Sequence, residues 1–344
     1  MTANANWFEF AHTPRALAAA LVVSLVVATA SGCDRAGQKP SPPAADSITL
    51  ATSRYAGAAP VFVAVAQHLF EDEGLKVTIQ TYSSGKSSLD AVIAGNADVA
   101  TVAELPVALG VAKGYPVTIL ATMSAQADHG VVARLDRGIS GPASLRGKRI
   151  AITEGSSGDF FLDALLIRQG ISRADVQVID RKPDQLMAAL VNGDADAIST
   201  WEPYVSETRR RLGANGALFS GERIYESTFN IAAMRDFASR RSDTVTKLLR
   251  AMARAEKSMV DDPAAAEAIV ARALDKTPQE THQLLARSHF ALSLDQNLIV
   301  VMEDESRWAV KNRIVDAKGR PNFLNAVYTQ GLDAIDPRSV TVIR

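Results

Sequence analysis

Residues 95–104 read GNADVATVAE, and residues 193–202 repeat the pattern as GDADAISTWE. In each copy an apolar run of helical spacing reaches a glycine, and an aspartate then precedes a short apolar run that ends in glutamate. This order predicts a helix ended by a C′ glycine, then a buried strand with a polar side chain at its carboxyl end. The repetition predicts that the chain folds into two similar lobes.

The similarity extends outward from both copies, so that each half of the chain reads as β-α-β-α-β. Strands are predicted over residues 47–52, 76–81, 149–153 and 176–180, and helices over residues 60–70 and 159–169. A spacing of about 100 residues is too long for a solenoid and suits two small α/β lobes. The simpler alternative is that right-handed βα units resemble one another in any α/β protein. The shared Gly-x-Ala-Asp and glutamate go beyond what such units require.

The first 46 residues predict export. Arg15 precedes an apolar run over residues 16–28, which ends in small residues before Cys33. Because this run is shorter than the ~20 residues that span a bilayer, we predict a signal peptide over residues 1–33 rather than a permanent transmembrane helix. Residues 34–46 are rich in proline and poor in large apolar side chains, so they are expected to form a flexible tether.

Cys33 is the single cysteine of the chain. Together with Ala30-Ser31-Gly32 it resembles a bacterial lipobox, in which the cysteine is lipidated and becomes the mature N-terminus. Asp34 resembles the signal that retains Gram-negative lipoproteins at the inner membrane. These features predict a periplasmic protein with a lipid anchor in the inner (cytoplasmic) membrane. An ordinary secretory signal with an incidental cysteine is the alternative.

The composition argues against several classes of function. The chain has 37 lysines and arginines against 38 aspartates and glutamates, so nucleic acid is not an expected partner. One cysteine and five scattered histidines lack the spacing of a metal site, and we predict neither a metal nor a cofactor. Residues 85–87, GKS, lack the upstream glycine of a P-loop, and residues 155–158, GSSG, lack the spacing of a nucleophile elbow. We therefore predict that the protein is not an enzyme.

Segments that can pass between the lobes set the predicted domain borders. Strands are predicted over residues 118–123, 130–135 and 228–234, with crossings near residues 125 and 226. The first lobe then comprises residues 47–125 and 226–344, and the second lobe residues 126–225. After Met234 the pattern predicts helices, which are expected to cover the first lobe's sheet, over residues 242–260, 263–274, 278–289 and 294–311.

Several motifs, taken in their order along the chain, resemble those of one family. They are SLRGKRIAI at residues 144–152, GSSG at 155–158, GDADA at 193–197 and WEP at 201–203. This combination is similar to that of the nitrate/sulfonate/taurine-type substrate-binding proteins of ABC importers, a group related to the thiamine pyrimidine-precursor synthases. The sequence departs from the family at Asp159, where a histidine is common, and at Arg54-Tyr55, where many members have an aromatic residue or glycine.

The resemblance implies a fold and a set of partners. The fold is the α/β, two-lobed type II periplasmic-binding-protein architecture, with a mixed sheet flanked by helices in each lobe and a ligand cleft between the lobes. Such a protein closes on a small-molecule solute and delivers it to a membrane permease and its ATPase. We expect the protein to be a monomer.

Candidate cleft residues follow from the position of ligands outside the carboxyl ends of strands in open α/β sheets. Polar residues stand at these ends, just before predicted helices or in their first turn: Arg54, Tyr55, Ser83, Ser84, Gly155, Ser156, Ser157 and Asp159. Free backbone N–H groups, helix dipoles and hydroxyls there favour an oxyanion such as sulfonate, nitrate or carboxylate. The alternative is that the serines only cap helices.

Glu104 and Glu202 end the two repeated strands at equivalent positions. They are therefore expected to face the cleft from opposite lobes, where they would favour a ligand with amine or amidine groups. Trp201 adds a surface on which a ligand can stack. In the alternative, Trp201 is a packing residue and Glu202 is a helix N-terminal carboxylate before Pro203. A zwitterionic ligand, or an organic molecule with one acidic end, would satisfy both the acidic and the amide groups.

The sequence thus predicts an extracytoplasmic solute-binding lipoprotein of an ABC importer. Its solute is expected to be sulfonate-, nitrate- or taurine-like, or a pyrimidine or other nitrogen-containing compound. Two alternatives stay open, an enzyme on the same scaffold and an anchored ligand sensor without transport. The related pyrimidine-precursor synthases depend on a cysteine-rich motif, which one cysteine cannot supply.

Overall fold

A computed structural model describes residues 46–221, 224–316 and 321–343. The predicted signal peptide, Cys33 and all but the last residue of the predicted tether lie outside these residues. The described chain forms two mixed β-sheets flanked by helices, which confirms the predicted two-lobed α/β architecture.

The strands alternate with helices through most of the chain. In chain order they are β1 (Asp46–Ser53), β2 (Leu75–Tyr82), β3 (Val99–Ala103), β4 (Val117–Gln126), β5 (His129–Arg134), β6 (Arg149–Ile152), β7 (Gln177–Asp180), β8 (Ala197–Trp201), β9 (Gly216–Ser220), β10 (Ser227–Met234) and β11 (Ser288–Ser293).

The helices dominate the C-terminal third. In chain order they are α1 (Ala59–Ala66), α2 (Leu69–Asp72), α3 (Gly85–Ile93), α4 (Glu104–Ala112), α5 (Ser157–Arg168), α6 (Pro183–Asn192), α7 (Tyr204–Leu212), α8 (Arg235–Arg240), α9 (Ser242–Asp261), α10 (Pro263–Leu274), α11 (Pro278–Leu285), α12 (Gln296–Lys311) and α13 (Gln330–Asp333). None of the helices in the described ranges combines the length and the apolar character needed to cross a membrane.

The two sheets share one topology over most of their width. The first has the order β11-β4-β10-β3-β1-β2 and the second the order β7-β6-β8-β5-β9. In each sheet three parallel strands are followed by an antiparallel strand, β10 in the first and β5 in the second, that begins just after the chain has crossed from the other lobe. We call the part of the chain built on the first sheet the first lobe, and that built on the second sheet the second lobe.

The repeated motif makes the same contacts in both lobes. Asp98 donates its backbone N–H to the Thr49 carbonyl at 2.9 Å, and its carboxylate accepts the Thr49 N–H at 2.7 Å. Asp196 forms the equivalent pair with the backbone of Arg149, at 2.8 and 3.0 Å. The glycine three residues before each aspartate ends a helix with a positive φ, 75° at Gly95 and 83° at Gly193. The motif therefore ties each helix end to the central parallel strand of its sheet.

Two predicted helices differ from the structure. The helix predicted over 60–70 is divided, because His68 takes the left-handed conformation (φ 56°) between α1 and α2. The last four residues of the helix predicted over 278–289 are wrong, because α11 ends at Leu285 and β11 follows. β11 pairs antiparallel with the edge of β4, and the Leu292 N–H donates to the Glu256 carboxylate at 2.8 Å. A sheet edge that needed a partner thus overrode a locally helical pattern.

The core follows the two sheets. The larger apolar cluster lies in the first lobe and includes Leu50, Phe70 and Leu248, because α9 packs on α1 and α2 beside the first sheet. The second lobe has two smaller clusters on opposite faces of its sheet, one around Phe161 and one around Leu190. The inner parallel strands β1, β3, β6 and β8 are therefore buried over most of their length, as expected for a sheet covered by helices on both sides, whereas the edge strands β2 and β7 are partly exposed.

We expect Asp98→Ala to lower the free energy of unfolding by about 1–3 kcal/mol, because it leaves the Thr49 N–H at the start of the parallel pairing without its acceptor. Asp98→Asn keeps an acceptor oxygen and should cost clearly less. Urea denaturation of the two variants and the parent chain measures this difference. An alanine variant as stable as the parent would contradict the structural role of the repeat.

Candidate functional site

A narrow cavity lies between the two lobes. It encloses about 430 Å³ of empty space, part of it continuous with solvent. Its lining comes from both lobes and consists of Ser53, Tyr55, Ser84, Gly85, Lys86, Ala103, Pro106, Ser156, Ser157, Trp201, Ser227 and Phe229.

Helix N-termini from both lobes open onto this cavity. Ser84 and Gly85 begin α3 in the first lobe, and Ser156 and Ser157 begin α5 in the second. The first-turn N–H groups of each helix have no acceptor within that helix, and the dipole places partial positive charge at the same end. Both helices exceed two turns, so each contributes this field to the cavity wall.

The remaining polar lining is cationic or hydroxylic. Lys86 leaves 37% of its side chain exposed and pairs with Asp90, one turn later in α3, at 3.1 Å. The Ser84 hydroxyl accepts the Ser87 N–H at 3.2 Å, and the Ser156 hydroxyl donates to the Thr153 carbonyl at 2.6 Å. No aspartate or glutamate is among the described lining residues. The cavity therefore favours a negatively charged group.

An apolar wall completes the cavity. The Tyr55 ring packs edge-on against Phe229, with centroids 4.8 Å apart. Trp201, at the end of β8, contributes its ring from the second lobe and packs on Tyr204 at 6.0 Å. These rings can contact an organic part of a ligand whose charged end faces the helix termini.

A buried polar network runs behind the cavity wall. The Ser157 hydroxyl lies 2.9 Å from His129 Nε2, and His129 Nδ1 lies 3.2 Å from the Asp128 carboxylate. The Tyr55 hydroxyl donates to Asp128 at 2.8 Å and also lies 3.2 Å from the side-chain oxygen of Gln126. Burial, and then the charge of Asp128, raise the pKa of Tyr55 well above its usual range, so this hydroxyl is a fixed donor. The network joins both lobes to the first crossing between them.

The prediction that Glu104 faces the cleft is wrong. Its side chain is fully buried at the start of α4, where it accepts the Thr228 N–H at 2.8 Å and the Thr228 hydroxyl at 3.0 Å. It also accepts the Tyr225 hydroxyl, which in turn lies 3.1 Å from Glu305. A carboxylate excluded from water needs such donors, and here the second crossing supplies them. Glu104 therefore holds the crossing segment rather than a solute.

Glu202 is also absent from the cavity wall. It is 2% exposed and accepts both the N–H (3.0 Å) and the hydroxyl (2.7 Å) of Ser206, so its carboxylate serves the first turn of α7. Arg287 of the first lobe lies 3.3 Å away. Burial raises the pKa of Glu202, although the hydrogen bonds from Ser206 and the charge of Arg287 act to lower it. The alternative interpretation from the sequence, a helix N-terminal carboxylate, is correct for Glu202, whereas Trp201 does line the cavity.

The other predicted residues divide in the same way. Tyr55, Ser84, Ser156 and Ser157 line the cavity, whereas Arg54, Ser83, Gly155 and Asp159 do not. Arg54 and Ser83 are exposed outside it. Asp159 is fully buried, accepts the Gly155 N–H at 3.0 Å and pairs with Arg173 at 2.7 Å, so it supports the loop before α5 from behind.

Sequence reasoning missed the cavity residues contributed by long-range pairing. Ser227 and Phe229 belong to β10, which returns to the first sheet only after the whole second lobe. Lys86 stands in the sequence within an incomplete P-loop, and its position two residues after Ser84 is a further signal for a place in the cavity wall. No sequence motif marks His129 or Asp128 as a site residue. Their adjacency in a short link between two predicted strands was the available signal.

Contacts on both sides of the cavity join the lobes. On one side, Arg210 of α7 pairs with Glu280 of α11 at 2.7 Å, and Glu207 of α7 pairs with Lys276, in the loop before α11, at 2.5 Å. These residues flank a second crevice. On the other side, the Trp308 indole N–H donates to Asp163 of α5 at 2.7 Å. Ion pairs therefore join the lobes on one side of the cavity, and a buried hydrogen bond from Trp308 joins them on the other.

A family model described as NMT1/THI5 like matches residues 56–266. One relative, from Bacillus subtilis (strain 168), is named as an aliphatic sulfonates-binding protein and is 29% identical over 201 residues. The match covers 57% of this chain and 60% of that protein, which is less than two thirds of the relative's length. The taurine-binding periplasmic protein of Escherichia coli (strain K12) is 24% identical over 224 residues, 64% of this chain and 69% of that protein. The 4-amino-5-hydroxymethyl-2-methylpyrimidine phosphate synthase of Aspergillus parasiticus is 26% identical over 314 residues, 84% of this chain and 89% of that protein.

Among solved structures, the alkanesulfonate-binding protein SsuA from Xanthomonas axonopodis pv. citri, bound to MOPS, superposes with a TM-score of 0.72 at 20% identity. The superposition covers 83% of this chain and 98% of that one. At this identity the likeness shows the fold, and it confirms the two-lobed architecture implied by the motif resemblance.

Glu280→Gln tests the charged rim. Arg210 and the backbone and side chain of Thr277 lower the pKa of Glu280 to about 2, so the pair is fully ionised at neutral pH and is lost only as the pH falls toward that value. Glutamine keeps the capping box with Thr277 but removes the charge, so we expect a larger radius of gyration in solution scattering at low salt. The difference should vanish near 1 M salt, where screening is complete. Glu303→Gln is the matched control, because Glu303 pairs with Arg307 within the single helix α12, and this variant should not open the lobes.

Glu305→Gln tests the buried carboxyl pair. Burial and the neighbouring Glu104 raise the pKa of Glu305 well above its usual value of 4.5. A carboxyl of this kind supports the folded state fully below that usual value, and its contribution is lost as the pH rises through the folded-state pKa. We therefore expect the melting temperature of Glu305→Gln to fall less between pH 5 and pH 8 than that of the parent chain. Parallel pH profiles for the parent and the variant would contradict this assignment.

Proposed function

Because the chain belongs to the NMT1/THI5-like family, we propose that it is an extracytoplasmic solute-binding lipoprotein of an ABC importer. Its solute is a small organic oxyanion, of which an alkanesulfonate is the leading candidate and taurine-like or nitrate-like anions are the next. The single observation that carries the proposal is the composition of the cavity wall. Two helix N-termini from opposite lobes, Lys86 and five serines face a space whose described lining has no carboxylate.

The chemistry of the wall supports an anion with an apolar body. A sulfonate has three acceptor oxygens, and the N-terminal turns of α3 and α5 offer backbone donors from two directions. Tyr55, Phe229 and Trp201 offer an apolar surface that an inorganic ion would leave uncovered. The sequence-based suggestion of an amine-bearing solute loses its main support, because Glu104 and Glu202 are committed to protein partners.

Solute binding and delivery follow from the two-lobed geometry. A solute held by residues of both lobes stabilises the closed form, because an open form cannot make both sets of contacts at once. The closed form is then presented to a permease and its ATPase. The proposed lipid anchor at Cys33 and the tether that follows would keep the protein, as a monomer, beside the inner membrane.

An enzyme on the same scaffold is the second candidate, because the match to the pyrimidine synthase covers most of both chains. The cysteine-rich motif implied for that group cannot be built from the single Cys33. Mass spectrometry of compounds incubated with the purified protein separates the two functions. A binding protein returns its solute unchanged, whereas an enzyme yields a new product.

A thermal-shift screen over alkanesulfonates, taurine, nitrate, aromatic carboxylates, amidines and pyrimidines tests the proposal. We expect an alkanesulfonate at about 100 times its Kd to stabilise the protein by about 2.7 kcal/mol, with a corresponding rise in melting temperature. A folded, ligand-free preparation that responds to none of these anions would contradict the proposal.

Lys86→Gln should weaken sulfonate binding about 10- to 100-fold, because a charge-assisted hydrogen bond contributes about 1.5–3 kcal/mol. Lys76→Gln makes the same change of net charge at an exposed position of β2, outside the cavity, and is the matched control. Isothermal titration calorimetry measures both affinities. Equal Kd values for the two variants would show that Lys86 does not contact the anion.

A further inference from the structure

The Ser157 hydroxyl faces the cavity on one side and the His129 ring on the other. It lines the cavity, and it lies 2.9 Å from Nε2 of His129. His129 is 3% exposed, and its ring is enclosed by Phe161, Trp201 and Tyr225 at centroid distances of 5.9, 6.5 and 5.1 Å. The imidazole therefore cannot turn to solvent, and whatever proton Nε2 carries is directed at Ser157.

A serine hydroxyl has one proton to donate. If Nε2 is unprotonated, it accepts that proton, and Ser157 offers only lone pairs to the cavity. If Nε2 carries a proton, it donates to the Ser157 oxygen, and the Ser157 proton is free for a ligand in the cavity. An anion that contacts the Ser157 hydroxyl requires the second arrangement, whereas a ligand that donates a hydrogen bond to Ser157 is accommodated by the first.

Asp128 determines which arrangement the neutral ring adopts. One oxygen of its carboxylate lies 3.2 Å from His129 Nδ1, and neither atom has an aligned hydrogen-bond partner among the described residues. The other oxygen accepts the Tyr55 hydroxyl at 2.8 Å. A carboxylate oxygen facing an unprotonated ring nitrogen is repulsive, so the neutral ring carries its proton on Nδ1. Nε2 is then the acceptor, and the Ser157 proton is consumed within the protein.

In the ligand-free arrangement Ser157 therefore has no proton to donate to an anion. Converting it requires one additional proton on the Asp128–His129 pair, which lets Nε2 donate to Ser157. The other ionisable groups near this pair are the carboxylate of Glu202, which acts on Asp128 through space, and the hydroxyls of Tyr55 and Tyr225. Lys86 also lines the cavity, but from the first lobe.

We propose that His129 makes anion binding in this cavity proton-coupled: the solute binds together with one proton, which the Asp128–His129 pair takes up so that Ser157 can donate to the anion. This inference rests on the proposed function for its ligand class. It assigns specificity to two residues that do not themselves line the cavity. His129 is a positioning residue for Ser157, and it selects anions over neutral analogues according to pH.

Calorimetry in buffers of different ionisation enthalpy tests the coupling, with ethanesulfonate and its neutral counterpart ethanesulfonamide as probes. We expect ethanesulfonate to bind with uptake of close to one proton, and its Kd to rise by up to about tenfold per pH unit on the alkaline side. Ethanesulfonamide should bind with no proton uptake. Sulfonate binding without proton uptake at any pH would overturn the inference while leaving the proposed function intact.

His129→Gln is the informative variant, because its amide can donate to Ser157 without titrating. We expect it to bind ethanesulfonate with a Kd independent of pH, whereas Ser157→Ala should bind more weakly and also lose the coupling. His289→Gln, at an exposed position of β11, is the control and should keep the full proton uptake. A His129→Gln variant that still takes up a proton would assign the coupling to another group.

Nitrogen NMR of the histidine rings in the ligand-free protein gives a test that does not depend on the solute. We expect the neutral His129 ring to carry its proton on Nδ1. A neutral ring protonated on Nε2 would overturn the inference even if no sulfonate binds, and a failure of sulfonate binding with the Nδ1 tautomer present would count against the proposed function alone.

Discussion

The antiparallel strands that begin just after each crossing between the lobes constrain everything else in this molecule. β10 enters the first sheet between β3 and β4, and β5 enters the second between β8 and β9. The first sheet is therefore complete only after the chain has passed through the whole second lobe, and the second sheet is built around the strand that enters it from β4. The crossings therefore lie beside the carboxyl ends of the parallel strands, where the helix N-termini of α3 and α5 open. Ser227 and Phe229 reach the cavity for the same reason.

Burial then divides the polar groups near the cleft into two sets. Carboxylates shielded from water must be met by donors, and each of Glu104, Glu202 and Asp159 has its own within the protein. Serine hydroxyls, backbone N–H groups and one lysine remain for a solute. The electrostatic character of the cavity is thus a result of which charges the fold has already neutralised, and it does not follow from the net charge of the chain, which is close to zero.

The sequence predicts the regular elements well where a local pattern coincides with burial. Pro263–Leu274 has the bounds of its predicted helix, and the aspartates of the repeat stand where the two parallel strands need an acceptor. It fails at β11, a six-residue strand that pairs with a sheet edge which no local pattern predicts. At the site, Tyr55, Ser84, Ser156, Ser157 and Trp201 follow from strand ends and helix starts, whereas the glutamates were misplaced because burial cannot be read from their position after a strand.

The sequence alone therefore determined the two-lobed α/β architecture, the family and the serine-rich turns, because these depend on periodicity, glycine positions and motifs within short segments. Only the tertiary structure decided which of those polar residues are free to meet a solute. It also brought His129 and Asp128 behind Ser157, across a separation that no spacing rule predicts. The physical reason is that a side chain's role depends on its distance to partners and to water, and these distances are set only by tertiary folding, within each lobe as well as between the two.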